Sequence, residues 1–237
     1  MKAWFVTGTD TGAGKTTVTL AILAEAARLG RRTAAMKPVE SGCQALSPGS
    51  LAAPAESGCQ ALSSERLEPA DARLLALGSS VEIPLETVCP YRYQAPLAPA
   101  LAARAEGNPP QLERIAECYR QVCAAGPEVV LVEGAGGLLV PLSESMLMAD
   151  LAAALDLPLL IVARDSLGTI NHTALTVEVA RGRGLEVAGV ILNGADPATP
   201  VKTARDNAAE IERITGAKVV GILAHGGIWT EPLSIEL

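Results

Sequence analysis

Apolar residues recur along this chain in two patterns. Short, nearly unbroken apolar runs lie at residues 3–6, 129–133, 157–163, 187–192 and 218–223. Each predicts a strand covered on both faces. Between them, residues 17–29, 69–77, 100–105, 111–125, 149–155, 169–182 and 200–215 place apolar side chains at helical spacing. In 111–125, Leu112, Ile115, Ala116, Tyr119, Val122 and Cys123 trace one helix face. Gly30 is a natural stop for the first helix, and Pro69 suits the first turn of the second. Residues 33–39 read as a second strand that ends at Lys37-Pro38, whereas 89–99 holds too many prolines for a central strand and should cross the surface. Strands that alternate with helices predict a doubly wound, mostly parallel α/β sheet with helices on both faces. Ligands of such a sheet bind at its carboxyl edge.

Composition narrows this picture. With 237 residues, the chain is expected to form one domain, 1–237. Hydrophobic residues make up 49% and aromatics only 3%, so the core must be built from Leu, Val, Ile and Ala. A net charge of −7 argues against nucleic acid as a partner. No apolar run approaches the roughly 20 residues of a membrane span, so no membrane partner is expected. The chain enters its first strand at once, which predicts no signal peptide. Five cysteines, with no C-x2-C pair among them, point to a reduced, cytoplasmic set rather than a zinc site.

The candidate chemistry starts at Thr7-Gly8-Thr9-Asp10-Thr11-Gly12-Ala13-Gly14-Lys15-Thr16-Thr17. A glycine-rich turn between a strand and a helix carrying Gly-Lys-Thr is a phosphate-binding loop, which makes the fold P-loop NTPase in type. Backbone N–H groups and the helix N-terminus cradle phosphate oxygens. Lys15 reaches the terminal phosphates and the Thr16 hydroxyl can ligate Mg²⁺. The first glycine departs from the usual G-x4-G-K-[ST] spacing: Gly8 stands one residue early, and Thr9 fills the usual place.

Further candidates sit at strand ends. Lys37 closes the second strand, where it is either a ligand-crevice lysine or a solvated strand-end one. Glu133 closes the apolar run 129–133, where an acid on the Mg²⁺ side belongs. The glycines of 134–137 read as a loop that lets a ligand approach the backbone. Local pattern leaves two more residues open. Asp71 is either a helix-dipole residue or a ligand, and Asn193 is either a nucleotide contact or a turn-former before Gly194. The octapeptide ESGCQALS occurs at 40–47 and again at 56–63. This is a local tandem duplication that lengthens a loop over 42–62. Ser41 lies four residues after Lys37, whereas Ser57 has Ala53 at that offset, so the first copy holds the working serine.

Several of these segments occur together and in order. They are Thr7–Thr11 with Gly14-Lys-Thr16, Lys37-Pro-Val-x-Ser41-Gly42, Val132-Glu-Gly-Ala-Gly-Gly137 and Leu167-Gly-x-Ile-Asn171-His172. Together they closely resemble the dethiobiotin synthetase family over nearly the whole chain, from about residue 3 to residue 225. The shifted first glycine belongs to that pattern. The resemblance implies that 7,8-diaminononanoate, CO₂ and ATP become dethiobiotin, ADP and phosphate, through a carbamate and a carbamic–phosphoric anhydride. It implies that Lys37 contacts the carbamate, that Lys15 and Thr11 join it in catalysis, and that Thr11, Ser41, Gly136 and Asn171 hold the substrate. Asn171 would come from the partner of a homodimer. Thr16, Asp71 and Glu133 would surround Mg²⁺. Nucleotide contacts would come from Gly12, Ala13, Gly14, Lys15, Thr16, Thr17, Asp71, Glu133, Gly134, Ala135, Gly136, Asn193, Gly194 and Ala224. The chain departs from the family twice. Ala224 replaces a proline near the adenine, and the duplication falls between Ser41 and Asp71. An alternative on the same fold is a switch ATPase of the partitioning or septum-placing type. That class carries a lysine early in its loop and a basic tail. Here the positions read Thr9 and Leu233-Ser-Ile-Glu-Leu237.

Overall fold

The computed structural model describes residues 1–46, 67–194 and 201–237. In chain order the elements are β1 (Lys2–Gly8), α1 (Lys15–Arg28), β2 (Thr33–Met36), β3 (Val39–Ser41), β4 (Gln44–Ala45), β5 (Leu67–Glu68) and α2 (Ala70–Gly78). Then come α3 (Leu85–Val88), β6 (Tyr91–Tyr93), α4 (Pro99–Glu106), α5 (Leu112–Ala124), β7 (Val129–Gly137), α6 (Met148–Ala154) and β8 (Leu159–Arg164). The chain ends with α7 (Thr169–Gly182), β9 (Val187–Asn193), α8 (Val201–Thr215), β10 (Val219–Ala224) and β11 (Ile228–Trp229).

Among the described residues, seven strands form one sheet in the order β11-β10-β9-β8-β1-β7-β2. All its pairs are parallel except β10 with β11. Successive strand residues go to opposite faces. Phe5, Val130, Val132, Leu159 and Ile161 join one buried cluster with α5, α6 and α7. Trp4, Val6, Leu131, Leu160 and Val162 join a second with α1 and Leu75 of α2. Both faces are thus covered, which is why the strands read as unbroken apolar runs rather than alternating ones. The sheet's carboxyl edge collects the ends of β1, β2, β7, β8 and β9, and with them the candidate residues.

Three sequence expectations change. The strand expected over 33–39 breaks at Lys37-Pro38, and its second part, β3, leaves the main sheet to pair with β6. The turn is held by Lys37 N–H on the Val88 carbonyl at 2.9 Å and by Tyr91 N–H on the Pro38 carbonyl. Proline and the restricted residue before it favour that break. The segment expected to cross the surface contains β6 instead, with Tyr91 and Tyr93 buried; its prolines lie outside the paired residues. The glycines of 134–137 continue β7 rather than looping, because Gly8 of β1 pairs with Gly137. A Cβ on Gly134 would stand 2.9 Å from the Phe5 ring, and one on Gly137 3.1 Å from the Gly8 carbonyl oxygen. Glycine is therefore what lets β7 run on beside β1.

The second copy of the octapeptide, 56–63, lies outside the described residues. The first does not form a loop throughout: Gln44–Ala45 pairs antiparallel with Leu67–Glu68, closing the base of the lengthened segment. Deleting residues 42–57 leaves KPVESGCQALSSERL, in which Gln60 and Ala61 take the places of Gln44 and Ala45. The shortened protein is expected to fold and to keep its activity, measured by thermal melting and ATP turnover. Loss of either would show that the extra copy is required.

Candidate active site

The phosphate loop connects the end of β1 to the start of α1. A Cβ on Gly8 would lie 2.7 Å from the Asp10 carbonyl oxygen, so the tight fold-back needs glycine. Gly12 and Gly14 have φ of +75° and +88°, the left-handed region. Two side chains from neighbouring strand ends hold the loop. Asn193 Nδ2 donates to the Ala13 carbonyl at 2.9 Å, and Arg164 Nη2 donates to the Gly12 carbonyl at 3.0 Å. A Cβ on Gly14 would fall 1.9 Å from that Asn193 nitrogen, so the asparagine packs directly against the loop. Gly194 follows with its N–H on the Leu223 carbonyl at 2.7 Å, which joins β9 to β10 just before Ala224. Thr11 is exposed, and its N–H donates to the Asp10 carboxylate at 2.7 Å. Its hydroxyl faces Gly136, where a Cβ would come within 3.3 Å. Thr17 is exposed on the first turn of α1.

Beside the loop, one buried acid gathers the remaining groups. Glu133 is fully buried in β7. Lys37 Nζ donates to its Oε1 at 2.5 Å and lies 3.1 Å from Asp71 Oδ2. The Thr16 hydroxyl donates to the same Oε1 at 2.8 Å, and the Thr19 hydroxyl shares its proton between Oε2 at 3.0 Å and the Lys15 carbonyl at 2.8 Å. Lys37 from the β2–β3 turn, Asp71 of α2, Thr16 of α1 and Glu133 of β7 thus come together from places far apart in sequence. Burial opposes the charge of Lys37, but the carboxylates of Glu133 and Asp71 outweigh it and hold its pKa above the usual lysine value. Burial dominates at Lys15 and lowers its pKa, with Glu133 only partly offsetting it. The two lysines also repel one another, as expected where several phosphate charges are to be received.

Thr19 was not visible as a site residue in the motif. It lies one helical turn beyond Lys15 and Thr16, so the 3.6-residue period was the signal available. Thr19→Val keeps the shape but removes a donor from a buried carboxylate. It is expected to lower stability by about 1–3 kcal/mol in urea denaturation. An unchanged midpoint would contradict the role given to this hydroxyl.

The donor set fits Mg²⁺. Glu133 and Asp71 already face a single cation, the Lys37 ammonium, and the Thr16 hydroxyl points to the same carboxylate oxygen. These are oxygen ligands only. Among the described residues, no group of three or more His, Cys, Asp and Glu gathers as a metal cluster. The protein thus offers two acids and a hydroxyl, the sparse kind of set that Mg²⁺ completes with water and phosphate.

A family model described as an AAA domain matches residues 2–227. An ATP-dependent dethiobiotin synthetase BioD of Anaeromyxobacter sp. (strain Fw109-5) is 47% identical over 229 residues, 95% of this chain and 91% of that protein. The chain belongs to the dethiobiotin synthetase family. A dethiobiotin synthetase BioD of Bacillus cereus (strain G9842) is 37% identical, covering 94% of this chain and 83% of its own. Among solved structures, the MinD cell division protein of Aquifex aeolicus superposes with a TM-score of 0.53 at 16% identity, covering 98% of this chain and 84% of that one. At that identity the likeness shows the α/β fold and no more.

The other predicted residues are more dispersed. Ser41 ends β3, partly buried, opposite Tyr93. Ala135 and Gly136 continue β7 past Glu133. Asn171 stands exposed on the first turn of α7 and takes no part in the hydrogen bonds around Glu133. Two residues escaped the sequence reading besides Thr19. Arg164 lies one residue beyond the expected end of its strand. Glu40 is buried, and its carboxylate accepts the backbone N–H groups of Asp71 and Ala72 at 3.0 and 2.9 Å. Burial raises the Glu40 pKa, while those two bonds pull the other way.

Proposed function

We propose that this ATP-dependent synthetase carboxylates and closes 7,8-diaminononanoate with CO₂, yielding dethiobiotin, ADP and phosphate. The single observation that carries the reading is the junction of Lys37 with Glu133, Asp71 and Thr16 beside a phosphate loop. In this reading one amine adds to CO₂ and loses a proton, giving a carbamate. A carbamate oxygen attacks the γ-phosphorus and ADP leaves. The second amine attacks the carbonyl of the anhydride, the ring closes, and phosphate leaves. Negative charge builds on the carbamate and on the transferring phosphoryl group, and fixed cations there favour the transition state over the ground state.

The chain's residues divide the work. Loop N–H groups of Gly12, Ala13 and Gly14 and the start of α1 bind phosphate oxygens. Lys15 neutralises them. Lys37 serves the carbamate with the positive charge of its ammonium. Thr11, Gly136 and Ser41 line the diamine's path. Thr16, Asp71 and Glu133 would hold Mg²⁺, which would supply positive charge against the phosphates. Asn193, seated on Ala13, lies beside the loop, with Gly194 next in the chain and Ala224 brought near by the pairing of β9 with β10.

The chain works as one domain within a cytoplasmic homodimer in this reading, with Asn171 supplied to the neighbouring site. Leu167, fully exposed four residues before Asn171, and the exposed Leu175 support a covered face there. Among the described residues, no helix is long and apolar enough to cross a membrane. The test is product analysis with ¹³C-bicarbonate. The label is expected in the ring carbonyl of dethiobiotin; label-free or absent product would exclude the reaction.

A further inference from the structure

Helix α2 begins without a cap of its own. Its N-cap residue is Pro69, and no side chain of that residue accepts from the first turn. The first N–H groups of a helix need partners when they are buried. Here they come from Glu40, 31 residues away from Asp71, whose two carboxylate oxygens accept one N–H each from Asp71 and Ala72. Glu40 is only 6% exposed. It lies on β3, three residues after Lys37, and Lys37 in turn meets the Asp71 side chain at 3.1 Å. The backbone of Asp71 is therefore fixed by one residue of this short segment and its carboxylate by another. Lys37 and Asp71 are the charged groups acting most strongly on Glu40.

We propose that Glu40 is a positioning residue that sets the affinity of the site for Mg²⁺ by seating Asp71. The inference rests on the reading of Asp71 as a metal-side acid. A carboxylate spanning two N–H groups at a helix start leaves α2 little freedom to tilt, and the strength of two charge-assisted bonds exceeds that of an ordinary cap. The segment's tandem duplication is consistent with this role. It begins at Glu40 itself, the acid that reaches α2.

The test titrates Mg²⁺ into protein saturated with ADP, by calorimetry, for wild type, Glu40→Gln, Asp71→Asn and the double variant. Glutamine keeps the shape of Glu40 and one acceptor. Glu40→Gln is expected to weaken Mg²⁺ about 10-fold, the usual scale for a residue that orients a ligand. Asp71→Asn is expected to weaken it further, and the double variant to be no worse than Asp71→Asn alone. Amide exchange at Asp71 and Ala72 should accelerate in Glu40→Gln while the rest of the sheet keeps its protection. If Asp71→Asn weakens Mg²⁺ but Glu40→Gln does not, Glu40 is a helix cap only and the inference is overturned. Independent, multiplying losses in the double variant would overturn it as well. If Asp71→Asn leaves Mg²⁺ binding unchanged, the reading of Asp71 itself fails, and the inference with it.

Discussion

Lys37→Ala is expected to lose ring closure by at least about 10³-fold while still binding ATP, since removal of a preorganised group that stabilises developing charge costs on that scale. The same substitution has a second consequence. Lys37 is the ammonium against Glu133, a carboxylate with no exposed surface. Removing one partner of a buried pair leaves an uncompensated charge and costs about 3–5 kcal/mol. The metal-free variant should therefore melt well below wild type, and Mg²⁺ with ATP should recover much of the loss by supplying a cation to the same acids. Nucleotide binding by fluorescence, product formation and melting with and without Mg²⁺ check the three parts. Near-wild-type ring closure would remove Lys37 from the chemistry.

Glu133→Gln has the next largest expected effect. One carboxylate receives Lys37, Thr16 and Thr19. An amide in its place brings two donors into a site where every neighbour is already a donor, and it leaves Lys37 buried without its main counter-charge. Loss of partners that merely orient metal ligands costs about 10–100-fold in affinity, so loss of a ligand should exceed about 100-fold for Mg²⁺. Stability should fall as well. A double variant, Lys37→Met with Glu133→Gln, is expected to be more stable than Glu133→Gln alone, because a buried pair is better replaced together than broken. Calorimetric Mg²⁺ titration and urea denaturation of the three variants measure this. Unchanged Mg²⁺ affinity in Glu133→Gln would place the metal elsewhere.

Much of the architecture was legible because covered parallel strands leave unbroken apolar runs, and five of these were visible without tertiary information. What failed did so for identifiable reasons. The glycines of 134–137 carry no strand propensity, and only the partner strand, through Gly8 and Phe5, makes them extended. The short β3–β6 pair depends on a proline break that propensity alone does not locate. In the candidate site, Lys15, Thr16, Lys37 and Glu133 were legible because phosphate and metal chemistry restricts the residue type and its place at a strand end. Asp71 was ambiguous locally, and its contact with Lys37 is what brings it to the cluster. Thr19, Arg164 and Glu40 act on backbone or on another side chain, so their roles had no motif to mark them. Asn193 shows the same limit: its strand-end position marked it, but its bond to the Ala13 carbonyl is a tertiary fact.

The most direct measurement is phosphate release from MgATP with 7,8-diaminononanoate and bicarbonate added singly and together. Release is expected only when both are present, in step with dethiobiotin formed. Turnover that ignores the diamine would contradict the proposed reaction and return the chain to the switch ATPases.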